Sequence, residues 1–91
     1  MEIIVSRRFY KKLKLLPKPV QKQVALVLQK LATSISMDES GLDYKKLSGS
    51  KNNFYRIRVG VYRIGIKYIS PDIVVITICS RGDFYKEFPP Q

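Results

Sequence analysis

Apolar residues change their spacing along this chain, and each change marks an element. Glu2 to Val5 is a short run rich in β-branched residues. Ser6 follows, a residue type that caps helices well, and Phe9, Leu13 and Leu16 then recur at spacings of four and three, the period of one helix face. Pro17-Lys18-Pro19 interrupts that pattern, because proline is tolerated in the first turn of a helix and not in its interior. Val20, Val24, Val27, Leu28 and Leu31 resume the helical spacing, while Lys18, Gln21, Lys22, Gln29 and Lys30 fall largely elsewhere around the axis. The two segments predict an amphipathic helical hairpin whose apolar side needs a sheet to cover.

From Thr33 to Asn53 the periodicity fades into Ser, Asp, Gly and Asn around a small apolar island of Leu42, Tyr44 and Leu47, so a long, partly ordered connection is expected. Phe54 to Val59 and Val61 to Tyr68 then read as strands flanking Gly60, which suits a tight hairpin because glycine takes positive φ without steric cost. Ser70-Pro71-Asp72 supplies a further turn, and Ile73 to Cys79 is almost continuously apolar, as expected of a central strand buried on both faces. The order β-α-α-β-β-β predicts an α+β fold, a small antiparallel-rich sheet with the N-terminal helical hairpin packed on one face.

Length and charge narrow the possibilities. The 91 residues fit one domain spanning 1–91, small enough that a stabilising partner is unsurprising. Lys and Arg number 17 against 7 Asp and Glu, a net charge of +10 spread through the whole chain, so the folded body is cationic. Such a field concentrates nucleic acid first, anionic membrane second and an acidic protein partner third, although a merely solvated basic surface has the same composition. Cys79 is the single cysteine, which excludes an internal disulfide and is expected to be a buried, inert thiol in a reducing compartment. No apolar run approaches the roughly 20 residues of a membrane span, and Ser6, Arg7 and Arg8 follow the first apolar residues in the wrong order for a signal peptide. A cytoplasmic protein without membrane association is the expectation.

Alternation along the strands identifies candidate chemistry. In Phe54 to Val59, Arg56 and Arg58 share one face and Tyr55, Ile57 and Val59 the other. In the next strand Tyr62, Ile64, Ile66 and Tyr68 point inward, leaving Arg63 and Lys67 outward with Gly65 between them. Arg81, Tyr85 and Lys86 follow the buried strand, so cationic and aromatic groups are expected to gather on an open sheet face. Guanidinium forks bind two phosphate oxygens and stabilise the extra charge of a pentacovalent transition state, and aromatic or guanidinium planes stack on unpaired bases. The alternative is that these arginines only pair with Asp72, Asp83 or Glu87 on a solvated face. Lys45, Lys46 and Lys51 on the connection offer phosphate contact or simple solvation. With no histidine, imidazole-based nucleophile systems are excluded. The scattered carboxylates show no metal-ligand spacing, and the glycines form no phosphate-cradling loop, so no metal or other cofactor is expected. The reaction most open to such a site is attack by a neighbouring ribose 2′-hydroxyl, with the substrate supplying its own nucleophile.

The run from Lys46 to Ile64, with Leu47-Ser48-Gly49, Phe54-Tyr55-Arg56-Ile57-Arg58-Val59 and Tyr62-Arg63-Ile64, resembles the core signature of the RelE/ParE toxin superfamily. Ile73 to Cys79 followed by Ser80-Arg81-Gly82-Asp83-Phe84-Tyr85 is similar to that family's last strand and ending, and the likeness extends over essentially the whole chain. It implies the microbial ribonuclease-like fold and, for the RelE-like branch, cleavage of messenger RNA in the ribosomal A site. It also implies a cognate antitoxin that wraps the toxin and blocks its basic groove, with larger assemblies expected only in its company. By the same likeness Arg63 binds phosphate, Arg81 stabilises the transition state or leaving group, and Tyr85 orients the substrate. Arg56 and Arg58 occupy positions that are lysines in well-known members; with Lys67, Lys51 and Lys86 they form the expected RNA-binding set. A guanidinium does not deprotonate at usable pH, so Arg56 and Arg58 are unsuited to the role of base, and Ser80 stands where many relatives carry histidine. Proton abstraction is assigned to Tyr85 in its basic surroundings, with Lys67, Glu87 or a ribosomal group as alternatives. Two competing readings share the fold: a ParE-like inhibitor of DNA gyrase, and a catalytically weak relative that binds RNA or titrates antitoxin.

Overall fold

The computed structural model describes residues 1–47 and 53–89. Strand β1 (Glu2–Val5) leads into helix α1 (Arg7–Lys14) and helix α2 (Lys18–Thr33). A single 3-10 turn (Asp38–Ser40) and a three-residue strand β2 (Tyr44–Lys46) follow, then β3 (Phe54–Val59), β4 (Tyr62–Ile69), β5 (Asp72–Ser80) and helix α3 (Arg81–Glu87). The sheet order is β1-β5-β4-β3-β2, with β1 parallel to β5 and every other pair antiparallel. The fold is α+β with an antiparallel-rich sheet and the helical hairpin against one face. The connection from 33 to 53 contributes the edge strand β2, whose three residues pair with Tyr55, Arg56 and Ile57. Ile73 to Cys79 lies one step off the centre of the sheet, because β1 closes its outer side and β4 occupies the middle.

The hairpin packs on the face that alternation assigns to the core. Phe9, Val24 and Leu31 from the helices meet Ile57, Val59, Ile64, Ile66, Ile73 and Val75 from the sheet. Ser6 decides where β1 ends and α1 begins. Its N–H donates to Val75 O at 2.9 Å and its hydroxyl donates to Ile76 O at 2.7 Å while accepting from the Phe9 N–H at 3.1 Å, so one residue leaves the sheet and caps the helix. Pro19 stands in the first turn of α2, where its missing N–H costs nothing. Gly60 opens the two-residue turn between the paired Val59 and Tyr62 with φ 59°, the positive value that the hairpin requires.

The second face of the sheet is not open along its whole length, as alternation alone suggests. Helix α3 folds back over it and places Phe84 and Phe88, both fully buried, against Leu47, Phe54 and Cys79. The Phe88 ring rests on Gly65, where a Cβ would approach its Cγ to 2.9 Å. Gly65 is therefore glycine so that an aromatic ring can seat on the strand. Ser80 Oγ and Asp83 Oδ2 lie 3.2 Å apart at the start of α3, a local contact across its first turn. No helix among the described residues is long and apolar enough to cross a membrane.

Candidate nucleic-acid interface

Register places the cationic residues. Arg58 is directly opposite Arg63, and Arg56 is opposite Gly65, so the three arginines share the α3 side of the β3–β4 ribbon. Like charges directly opposite one another destabilise a strand pair. Here one of the two is also buried: Arg63 is 8% exposed, with its Nη1 donating to Gly60 O and Tyr62 O, both at 3.0 Å. Burial first, and then the charges of Arg58, Arg56 and Arg81, push the Arg63 guanidinium below its ordinary value, with Tyr85 partly opposing them. Those interactions define the cluster. Two arginines from β3, and Arg81 and Tyr85 from α3, act electrostatically on the one arginine from β4. Arg81 is fixed by the end of β5, where its N–H donates to Val61 O at 2.8 Å. Tyr85 is 61% exposed, and its ring stands nearly perpendicular to that of Phe84 with centroids 5.0 Å apart.

The acids expected as alternative partners lie elsewhere. Among the described residues, Arg56, Arg58, Arg63 and Arg81 make no ion pair with Asp72, Asp83 or Glu87. Asp43, which the strand pattern did not single out, reaches Arg56 and Arg58 at 3.9 Å each, loose contacts beside a carbonyl that accepts from the Arg58 N–H at 2.8 Å. Arg56 Nη1 is buried and has no hydrogen-bond partner among the described residues.

The remaining candidates separate from this cluster. Lys67 sits opposite Phe54, four residues along β4 from Arg63, with its ammonium 5.9 Å from the centre of the Phe54 ring. Lys86 points to the other flank of α3, where it pairs with Asp83 at 3.6 Å and lines a groove of about 520 Å³ with Lys12, Leu15, Tyr62, Ser80 and Glu87. Lys51 lies outside the described residues. Lys45 and Lys46 are exposed on the edge strand β2.

Glu87 is the most heavily bonded acid in the molecule's described part. Its Oε1 accepts from Thr77 Oγ1 at 2.6 Å and forms an ion pair with Arg8 Nη2 at 2.6 Å, and its Oε2 accepts from Lys12 Nζ at 2.8 Å and Cys79 Sγ at 3.3 Å. Burial alone would raise its pKa, but hydrogen bonds from Lys12, Thr77 and Cys79 and the Lys12 charge hold it down at about 2. Lys12 is raised in turn: burial works against its charge, and its bonds to Cys79, 3.0 Å away, and Glu87 outweigh that. A carboxylate so placed has little affinity for a proton, which makes Glu87 unsuited to act as a base. Among the described residues no three Cys, Asp or Glu side chains come together as a set of metal ligands.

Comparison with known proteins agrees with this architecture. No family model matches the chain. Toxin RelE3 of Methanocaldococcus jannaschii is 36% identical over 89 residues, covering 98% of this chain and all of the relative. The toxin in a RelB-RelE antitoxin-toxin complex from Methanococcus jannaschii superposes with TM-score 0.80 at 35% identity, over 94% of this chain and 99% of that one. The RelE-RelB complex of Pyrococcus horikoshii contributes a chain with the same fold, TM-score 0.72 at 23% identity over 91% and 97% of the two chains. With near-complete coverage at this identity, the chain belongs to the RelE toxin family.

Proposed function

We propose that this toxin is a ribosome-dependent endoribonuclease that cuts messenger RNA in the A site and so stops translation. The observation that carries the reading is the placement of Arg58 directly opposite the buried Arg63, with Arg56 on the same face of β3 and the charges of Arg81 and Tyr85 acting on Arg63. A cluster of like charges held together at a cost to stability makes sense where a polyanion neutralises it. In the cleavage step the ribose 2′-oxygen forms a bond to phosphorus and the bond to the 5′-oxygen breaks. The 2′-proton goes to a base, and the leaving oxygen takes a proton to become a hydroxyl. Arg63 and its neighbours neutralise the charge that builds on the non-bridging oxygens, Arg81 stabilises the leaving group, and Tyr85 stacks on a base or touches the 2′-hydroxyl. Tyr85 or a ribosomal group takes the proton, since Glu87 is committed to its own bonds. No metal takes part in this scheme. The Methanococcus jannaschii structure is described as an antitoxin-toxin complex, and from that likeness we infer a cognate antitoxin that covers the cationic face.

The test is a primer-extension map of a defined message on programmed ribosomes, with the wild-type protein and the Arg81→Ala and Tyr85→Phe variants. Discrete cuts at A-site codons that need ribosomes and fade in both variants are the expected result. Intact message with folded wild-type protein would overturn the reading. Binding without cleavage would then mark a catalytically weak RNA-binding relative, and inhibited DNA supercoiling a gyrase inhibitor.

A further inference from the structure

We propose that Glu87 is a positioning residue, which clasps Arg8 and Lys12 of α1 and thereby fixes the rotation of α3 on the sheet and the aim of Arg81 and Tyr85. The inference rests on the ribonuclease reading above. Helix α3 has only seven residues, too few to hold its own direction in water. Phe84 and Phe88, one turn apart, anchor it to the sheet and set its depth. An apolar contact of this kind is non-directional, and the bond from the Arg81 N–H to Val61 O holds only the first residue of the helix, so the roll of the later turns is set elsewhere.

The roll is fixed from the side. At roughly 100° per residue, Arg81 and Tyr85 leave α3 on one flank of the Phe84–Phe88 face, and Glu87 leaves on the other. Three hydrogen bonds and one ion pair from two different elements meet the Glu87 carboxylate: Lys12 on α1 and Thr77 and Cys79 on β5 donate to it, and Arg8 on α1 pairs with it by charge. Hydrogen bonds, unlike apolar packing, specify direction. These three bonds, with the Arg8 ion pair beside them, tie one flank of the short helix to α1 and β5, and the opposite flank carries the two residues proposed to act on substrate. Because the carboxylate is ionised at any pH above its depressed value, the clasp is closed under all physiological conditions.

The test compares wild type, Glu87→Gln and Arg8→Ala, the last a solvent-exposed change that opens the clasp from its other side without burying an unpaired charge. Amide hydrogen exchange is read first and does not depend on activity. Exchange in residues 82–87 is expected to rise by about tenfold or more in Glu87→Gln and by less in Arg8→Ala, with β4 and β5 unchanged. Single-turnover cleavage on programmed ribosomes is read second. The rate constant should fall by roughly tenfold to a hundredfold, the range for a misaimed group. Half-saturation should stay within about twofold, because Arg56, Arg58 and Arg63 remain on rigid strands. Combined with Arg81→Ala, the Glu87→Gln loss should shrink, whereas a general loss of folded protein would multiply in full. Unchanged exchange in α3, or the same fold-loss in both backgrounds, overturns the proposal. Absent cleavage by folded wild type sinks the ribonuclease reading and the aiming role with it; the exchange data then still report whether the clasp holds α3.

Discussion

The two faces of this sheet are built from the same strands by opposite rules. On the face toward α1 and α2, Ile57, Val59, Ile64 and Ile66 alternate into one continuous apolar layer with Phe9, Val24 and Leu31. On the other face the intervening positions carry Arg56, Arg58, Gly65 and Arg63, and only the small cluster under Phe84 and Phe88 is apolar. The first face lowers the free energy of the fold by burying hydrocarbon; the second raises it by crowding like charges, one of them in a nearly dry position. The contrast teaches that the cationic cluster is tolerated because its own strands are held from behind.

The sharpest way to break the contrast is Phe9→Ala, which should destabilise the whole molecule by about 3–5 kcal/mol as a buried aromatic is lost. Urea unfolding should show this, and cleavage should disappear with the fold. Arg81→Ala should do the reverse. Cleavage on ribosomes should fall by a hundredfold or more, about 2.7 kcal/mol or more in barrier, while the urea midpoint stays within about 0.5 kcal/mol of wild type. Gly65→Ala lies between, on the boundary of chemistry and packing. Its new methyl meets the Phe88 ring, so a cost of roughly 1–3 kcal/mol is expected, with α3 losing exchange protection before the helical face does.

The smallest effect is a pH dependence confined to the second face. Glu87 has a folded pKa of about 2 against an ordinary 4.5, so folding favours its ionised form. Its contribution is fully present above pH 4.5 and is lost as the pH falls from there through about 2. With the carboxylate one-fifth exposed, that contribution is about 1–2 kcal/mol. The difference in Tm between wild type and Glu87→Gln should therefore be constant at neutral pH and shrink below pH 4.5. A difference that grew on acidification would break the assignment.

Strand alternation made most of the first face legible, because Ile57, Ile64 and Ile66 follow period two without interruption and Val24 and Leu31 follow the helical period. It also put Arg56, Arg58 and Arg63 on a common face, since period and hairpin register together determine that. Helix α3 was less visible: it is short, starts at Ser80 and contains Gly82, and its only periodic signal is Phe84 with Phe88. Without that helix the second face looked open, and Lys86 could not be told from Tyr85 although the two leave the helix on different sides. The partners of Glu87 were invisible for a different reason. Arg8 and Lys12 lie more than seventy positions away in the sequence, and only the return of β5 alongside the start of α1 brings them together. Asp43 was hidden in the same way, since its place beside Arg56 and Arg58 depends on the pairing of β2 with β3.

The parallel pairing of β1 with β5 has a consequence in time. Glu2 finds its partner in Asp72 and Val5 finds its partner in Val75, so β1 waits for β5 to be synthesised. At roughly 5–20 residues per second, the nascent chain spends several seconds with that edge unpaired and the α1 end of the sheet unsupported. Arg81 and Tyr85 emerge later still. The cationic cluster is therefore assembled only after the strand that closes the sheet has been made.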